Sequence, residues 1–274
     1  MIKKIIHVAD IHIRMFQRLD EYNEQLSKFI EKCKEITNGL DKSEVRIVIA
    51  GDLLHNKNQI SAEQISFAST FIRELQNIGE VRLFSGNHDL VVDNTTRMDA
   101  MTALFQTAVF DNALFIDSYL GYESGVLIDE NITWALYSIF DNFRRPDIEK
   151  AKEENPDNLV VGLFHGTIVG STLDNGNVMD NGIDGNIFSG CDYVMAGDIH
   201  KRQELKRGDT LIVYPGSLIQ QNYGETVTKH GFAVWDIENG THEYVDLESD
   251  YNLYKFEIKS VEDIANDKEN LMNY

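Results

Sequence analysis

The 274-residue chain has only two cysteines and three prolines. Cys33 falls in a helical pattern and Cys191 just before a strand, which excludes a disulfide framework and a thiolate zinc site. Both read as small buried hydrophobes in a reducing compartment. No apolar run approaches the roughly 20 residues that span a bilayer, and the opening Met1-Ile2-Lys3-Lys4-Ile5-Ile6-His7 is too short for a secretory signal. A cytoplasmic protein with no membrane partner is the expectation. Positive charge is scarce as well: 25 Lys and Arg against 45 Asp and Glu leave a net charge of −20. That balance excludes nucleic-acid binding through a broad basic surface. Only Phe143-Arg144-Arg145 and Lys201-Arg202 with Lys206-Arg207 gather cations, and each reads as solvated surface.

Apolar residues make up 42% of the chain, enough for a substantial core at this length. Apolar strands alternate with amphipathic stripes, the pattern of a layered α/β protein. Strands are expected at 4–9, 45–50, 81–84, 132–139, 159–164, 193–196 and 211–214, with a hairpin at 231–237 and 242–247 around Asn239-Gly240. Tyr22, Leu26, Phe29, Ile30, Cys33 and Ile36 stripe one helix. Ser61-Ala62-Glu63-Gln64 has the form of a capping box, and Ile65, Ala68, Phe71, Ile72, Leu75 and Ile78 stripe the helix behind it. A third helix is expected near 97–105. Residues 166–190, rich in Gly, Asn and Asp, read as a loop beside a site.

Five of the expected strands end in potent side chains: Asp10-Ile11-His12, Gly51-Asp52-Leu53-Leu54-His55, Gly86-Asn87-His88-Asp89, His165-Gly166 and Gly197-Asp198-Ile199-His200. In open α/β sheets the carboxyl ends of strands are where ligands bind. Asp, His and Asn without Cys suit hard divalent ions such as Mn²⁺, Mg²⁺ or Fe²⁺. Seven such residues suffice for two ions that share one carboxylate. Two ions roughly 3.5–4 Å apart are the arrangement that steadies both the attacking and leaving oxygens of a phosphoryl displacement. The remaining histidines carry no such pattern: His7 reads as packed within a strand, and His230 and His242 as exposed or hydrogen-bonded beside the hairpin.

In this order and spacing the five motifs resemble the calcineurin-like metallophosphoesterase superfamily, from Ile5 to about Tyr223. The stretch Tyr214-Pro215-Gly216-Ser217 to Glu225 is similar to a signature of the SbcD branch, the nuclease subunits of bacterial and phage DNA-break processing complexes. The resemblance implies a four-layer α/β/β/α sandwich. It implies Asp10, His12 and His200 as ligands of one ion, Asn87, His165 and Asp198 as ligands of the other, and Asp52 as the bridge. It implies catalytic roles for His88, which would stabilise phosphate charge or protonate the leaving oxygen, and for His55, which would place the scissile phosphate. Two departures stand out. Asp198 occupies a position where the family usually has His, and Leu218 and Gln220 stand where relatives often have Pro and Arg.

The resemblance further implies DNA as substrate, two ions that are most readily Mn²⁺, an SbcC-type SMC-like ATPase partner and a homodimer contact near residues 65–78. Residues 1–249 would form the nuclease domain. Residues 250–274, with a strand at 254–258 and a helix cap at Ser260-Val261-Glu262-Asp263, would begin a DNA-capping domain. The leading expectation is thus a metal-dependent DNA phosphodiesterase. The alternatives are a phosphatase or cyclic-nucleotide phosphodiesterase on a small or protein substrate, and a scaffold that binds DNA ends or the ATPase without cutting.

Overall fold

The computed structural model describes residues 1–14, 18–57, 60–94 and 97–254. In chain order the first half contains β1 (Lys4–Val8), α1 (Leu19–Ile36), β2 (Val45–Ala50), α2 (Ala62–Leu75), β3 (Glu80–Phe84), α3 (Ala100–Thr107), β4 (Ala113–Phe115), α4 (Ile116–Tyr119), β5 (Gly125–Asp129) and β6 (Ile132–Tyr137). It continues with α5 (Ile148–Glu154), β7 (Leu159–His165), β8 (Tyr193–Gly197), β9 (Gln203–Arg207), β10 (Thr210–Tyr214), β11 (Gly231–Asp236) and β12 (Thr241–Asp246).

Strands buried on both faces need a layer on each side, and the central strands here are of that kind. In β1 and β2 one set of alternate residues, Ile6, Val8, Ile47 and Ile49, packs with α1, α2 and α3. The other set, Ile5 and Val48, packs with Trp134, Leu136, Val161, Leu163 and Met195 of a second sheet. The outward face of that second sheet, including Tyr137, Phe164, Val194 and Ile212, closes on Ile148 of α5 and on Phe188. Three apolar interfaces therefore separate four layers, α/β/β/α. Each sheet has six strands, ordered β12-β11-β1-β2-β3-β4 and β5-β6-β7-β8-β10-β9. The neighbours β1, β2, β3 and β4 run parallel, as do β6, β7, β8 and β10.

The expected core strands all form, within one or two residues of their expected bounds. Ser61 caps α2 as its sequence suggests, its side chain accepting from the Gln64 N–H while Gln64 reaches back. Three strands have no counterpart in the sequence reading: β4 is three residues long, β5 is a half-exposed edge, and β9 is the charged edge Gln-Glu-Leu-Lys-Arg. Edge strands face solvent on one side and lose the apolar alternation that announces a strand. Residues 166–190 are largely loop but hold a short 3₁₀ turn at Gly185–Phe188. After β12 the chain returns along α1, where Gln25 Nε2 and Lys28 Nζ donate to the Glu248 carbonyl at 3.3 and 3.0 Å. The expected strand beyond Tyr254 and the helix cap at Ser260–Asp263 lie outside the described residues. Among the described residues no helix is long and apolar enough to cross a membrane.

Candidate metal centre

Parallel strands put their carboxyl ends on the same edge, so β1, β2 and β3 of one sheet and β7 and β8 of the other deliver their polar residues to one place. The sheets can meet there because of glycine. A Cβ on Gly197 would lie 2.1 Å from the Ala50 carbonyl oxygen, and one on Gly51, at φ +81°, would lie 2.2 Å from His165 Nδ1. Four of the polar residues adopt left-handed backbone: Asp10, His12, Asp52 and Asp198, at φ 52, 50, 53 and 94°. Such conformations cost of order 1–3 kcal/mol each and survive only where the surroundings over-determine them. At Asp52 the constraint comes from Asp89, whose buried carboxylate accepts from the N–H groups of Asp52, Leu54 and Gly86 at 2.8, 3.0 and 2.9 Å.

The geometry centres on Asp52. Its Oδ2 lies 3.5 Å from His12 Nε2 and its Oδ1 lies 3.4 Å from His165 Nε2, so one carboxylate faces two groups of donors. On the first side His12 Nε2 and His200 Nε2 are 3.2 Å apart, and Asp10 Oδ1 lies 4.0 and 3.8 Å from them. Asp10, His12 and His200 form one compact set of donor atoms, and Asp10, Asp52 and His165 a second. Two of the rings are held by their other nitrogen. His165 Nδ1 donates to the Ala50 carbonyl at 2.7 Å, and His200 Nδ1 donates to Glu225 Oε1 at 2.7 Å.

At the rim, His12, His55 and His88 form a third set. His55 Nδ1 is 3.4 Å from His12 Nδ1, and the His88 ring stacks on His55 at a centroid distance of 5.1 Å. His88 is fixed at both ends, its N–H donating to Asp52 Oδ1 at 2.7 Å and its Nδ1 donating to the His55 carbonyl at 2.8 Å. This leaves Nε2 as the nitrogen able to meet a substrate. Asn87 and Asp198 face each other, Asn87 Nδ2 donating to Asp198 Oδ1 at 2.9 Å. Beside them opens a pocket of about 320 Å³ lined by Asp174, Asn175, Lys201 and Asn222 with His200 and Asp198.

Burial pushes the Asp10 carboxyl up to about 7 and pushes His12 far below its ordinary value. Burial works against the charge of Asp52 too, but His165 and His12 outweigh it and hold that carboxyl well below the usual range. For His200 burial is outweighed by the Glu225 hydrogen bond together with the charges of Asp10, Glu225 and Asp52, and its value rises to about 9. His55 falls to about 4 through burial, with Arg14 and His88 adding to the effect.

Two observations test whether this pocket suits divalent ions. His165 Nε2 and Asn87 Oδ1 are buried with no hydrogen-bond partner, an expensive state for polar atoms unless a ligand completes it. The donors are carboxylate oxygen, imidazole nitrogen and amide oxygen, the set that hard and borderline divalent ions prefer. The residues fit. Asp10, His12, His200 and one oxygen of Asp52 could hold one ion, and the other oxygen of Asp52 with Asn87 and His165 could hold a second.

The sequence reading assigned no role to several groups that shape the site. Glu225 entered it only as the end of a branch signature, yet it orients His200 and accepts from the Gln221 N–H at 2.8 Å. Thr167 donates to Asp198 Oδ2 at 2.7 Å, and the Tyr22 hydroxyl donates to the His12 carbonyl. Nothing local marks Thr167 or Tyr22, whereas the carboxylate in the Tyr214–Glu225 signature was a usable signal.

A family model for the calcineurin-like phosphoesterase superfamily domain matches residues 4–240. The chain belongs to this superfamily. Its compact groups of His and carboxylate donors accord with the metal dependence typical of that family. "Uncharacterized protein R555" of Acanthamoeba polyphaga mimivirus is 34% identical over 91% of the chain, and "Uncharacterized metallophosphoesterase YhaO" of Bacillus subtilis 25% identical over 87%. The chain spans 18% of the first relative's length and 58% of the second's. Among solved structures, a novel archaeal phosphodiesterase aligns at TM-score 0.41 and 12% identity, covering 89% of this chain and 99% of its own. Hypothetical protein PH1004 from Pyrococcus horikoshii OT3 aligns at 0.40 and 13%, covering 100% and 94%. Likenesses this loose carry no argument about substrate.

Proposed function

We propose that this metallophosphoesterase is a DNA phosphodiesterase, the nuclease component of an SbcC–SbcD-type end-processing complex, working with two Mn²⁺ ions. The observation that carries the reading is how the Tyr214–Glu225 signature enters the metal centre. Glu225 Oε1 holds His200, Glu225 Oε2 accepts from the Ser217 hydroxyl at 3.2 Å, and the Tyr214 hydroxyl donates to the carbonyl of Gly166, next to His165. The part of the sequence that resembles the nuclease branch is therefore the part that orients one candidate ligand and braces the loop after another.

When bound, two divalent ions would polarise the phosphate and activate water. The chain's own residues supply the rest. Asp52 divides its oxygens between the two donor groups. His88, held by Asp52 and the His55 carbonyl, presents Nε2 to charge growing on the phosphate or to the leaving oxygen, and His55 backs it by stacking. With a net charge of −20, the chain relies on a companion SMC-like ATPase and a second copy of itself to hold duplex DNA.

The same charge favours a second reading, a phosphatase or cyclic-nucleotide phosphodiesterase, since a small substrate needs no basic surface. Incubating the purified chain and Mn²⁺ in parallel with linear duplex DNA, p-nitrophenyl phosphate and a cyclic nucleotide separates the two. Cleavage of the DNA supports the nuclease reading, and cleavage of the small substrates alone overturns it. Tight binding of duplex DNA at physiological salt by the isolated chain would remove the need for a DNA-holding partner.

A further inference from the structure

We infer that Asp198 is a positioning residue that aims Asn87 at the second cation site and is not itself a ligand. The inference rests on the dinuclear reading of the site but not on DNA as substrate.

Both oxygens of Asp198 are already engaged. Oδ1 accepts from Asn87 Nδ2 at 2.9 Å and Oδ2 accepts from the Thr167 hydroxyl at 2.7 Å. The backbone is tied as well: at φ 94° the Asp198 N–H donates to both carboxylate oxygens of Asp10 at 3.1 Å. In the compact sets of His and carboxylate donor atoms Asp10, Asp52 and His165 come together, and Asp198 belongs to none of them. A carboxylate at this position can only accept, so the atom of Asn87 that faces it has to be the amide nitrogen. The amide oxygen is thereby turned away from Asp198, and it is this atom, with His165 Nε2, that is buried without a partner. An imidazole in place of Asp198 could offer a ligand nitrogen of its own. The carboxylate instead orients a neighbour that offers one.

The two sites then differ in kind. The first has four donor residues, Asp10, His12, His200 and Asp52, while the second has three, Asp52, Asn87 and His165. The second ion is expected to bind more weakly and to keep a position open for the substrate phosphate.

Calorimetric titration of the metal-free full chain with Mn²⁺ tests the assignment. Wild type should take up two ions of unequal affinity. Asp198→Ala should still take up two, with the weaker Kd raised about 10–100-fold, the usual effect of removing a group that orients a ligand. Asp198→Asn keeps an acceptor for Asn87 and should restore the weaker Kd to within about threefold, and Thr167→Val should weaken it by a similar small factor. Because Asp198 acts through Asn87, the double variant Asn87→Ala/Asp198→Ala should bind no worse than Asn87→Ala alone. In a Mn²⁺-loaded crystal structure the Asp198 oxygens should remain on Asn87 and Thr167. Loss of one ion in both Asp198→Ala and Asp198→Asn, or an Asp198 oxygen within about 2.6 Å of an ion, would overturn the proposal. Wild type that takes up fewer than two ions overturns it together with the dinuclear reading. Failure to cut DNA alone bears only on the substrate.

Discussion

At the start of β2 and β3, Arg46 and Arg82 lie between the sheets and grip Asp129 at the end of β5, with N–O distances of 2.7 to 3.0 Å, while Trp134 Nε1 donates to the same carboxylate at 3.1 Å. Past the other ends of the same two strands lie Asp52 and Asp89, and beside them Asp10. Among the described residues no Lys or Arg forms an ion pair with any of these three. Both clusters bury charge, but guanidinium groups balance the first and only imidazoles, His165 and His200 above all, balance the second. The Arg46–Arg82–Asp129 cluster is complete as folded and serves to pin one sheet to the other. The counter-charges of the Asp10–Asp52–Asp89 cluster can leave with their protons, and cations from solution can then take their place at the same imidazole nitrogens.

Removing divalent ions is the most forceful way to separate the clusters. A chelator should reduce phosphoester hydrolysis to background, and it should lower stability by about 2.7 kcal/mol for each site that had been held at a hundredfold excess over Kd. Activity assays and calorimetric melting with and without the chelator would show this, and Mn²⁺ should restore both. Hydrolysis that persisted in chelator would break the contrast.

Next in size, His88→Ala should cut turnover by about 10²–10⁴-fold while two ions still bind, because its ring faces the substrate side of the cluster. Single-turnover rates alongside metal titration would check it, and lost metal uptake would make His88 a ligand. At the closed cluster the effect should fall on the fold instead. Asp129→Ala leaves two buried guanidinium groups with only the partly exposed Glu80 as partner and should cost about 3–5 kcal/mol by urea unfolding. In chelator at pH 8, Asp10→Asn should be at least as stable as wild type, since burial already pushes that carboxyl up to about 7 and the amide removes a buried charge.

The smallest effect concerns His7, fully buried between the sheets with both ring nitrogens unpartnered and its value lowered by burial to about 3. Between about pH 6.5 and 3 the unfolded chain accepts a proton that the folded chain refuses. Stability should therefore fall with falling pH, with a slope from this group approaching about 1.4 kcal/mol per pH unit. His7→Leu should remove that part of the slope, which urea midpoints at pH 7 and pH 5 would reveal.

Much of this was legible without coordinates. The stripe from Tyr22 to Ile36, the capping box at Ser61 and the apolar runs 45–50 and 159–164 are local patterns, and local patterns mark helices and buried strands. The site was legible because Asp10, His12, Asp52, Asn87, His88, His165, Asp198 and His200 each stand at the end of such a run. The edges β5 and β9 were not, since half of an edge strand's residues face water and its sequence resembles a loop.

What the sequence determined by itself is which residues reach the carboxyl edge, because chain direction and the twofold alternation of a strand are properties of a few consecutive residues. Only the tertiary structure decided how those residues divide the work. His165 donates to Ala50 across 115 positions, His200 to Glu225 across 25, and Asp198 accepts from Asn87 across 111. Which nitrogen of an imidazole, or which end of an amide, is left over for an ion depends on what its other end touches. Those contacts arise from two sheets closing to the distance that Gly51 and Gly197 permit, and no window of consecutive residues contains both sides of that approach.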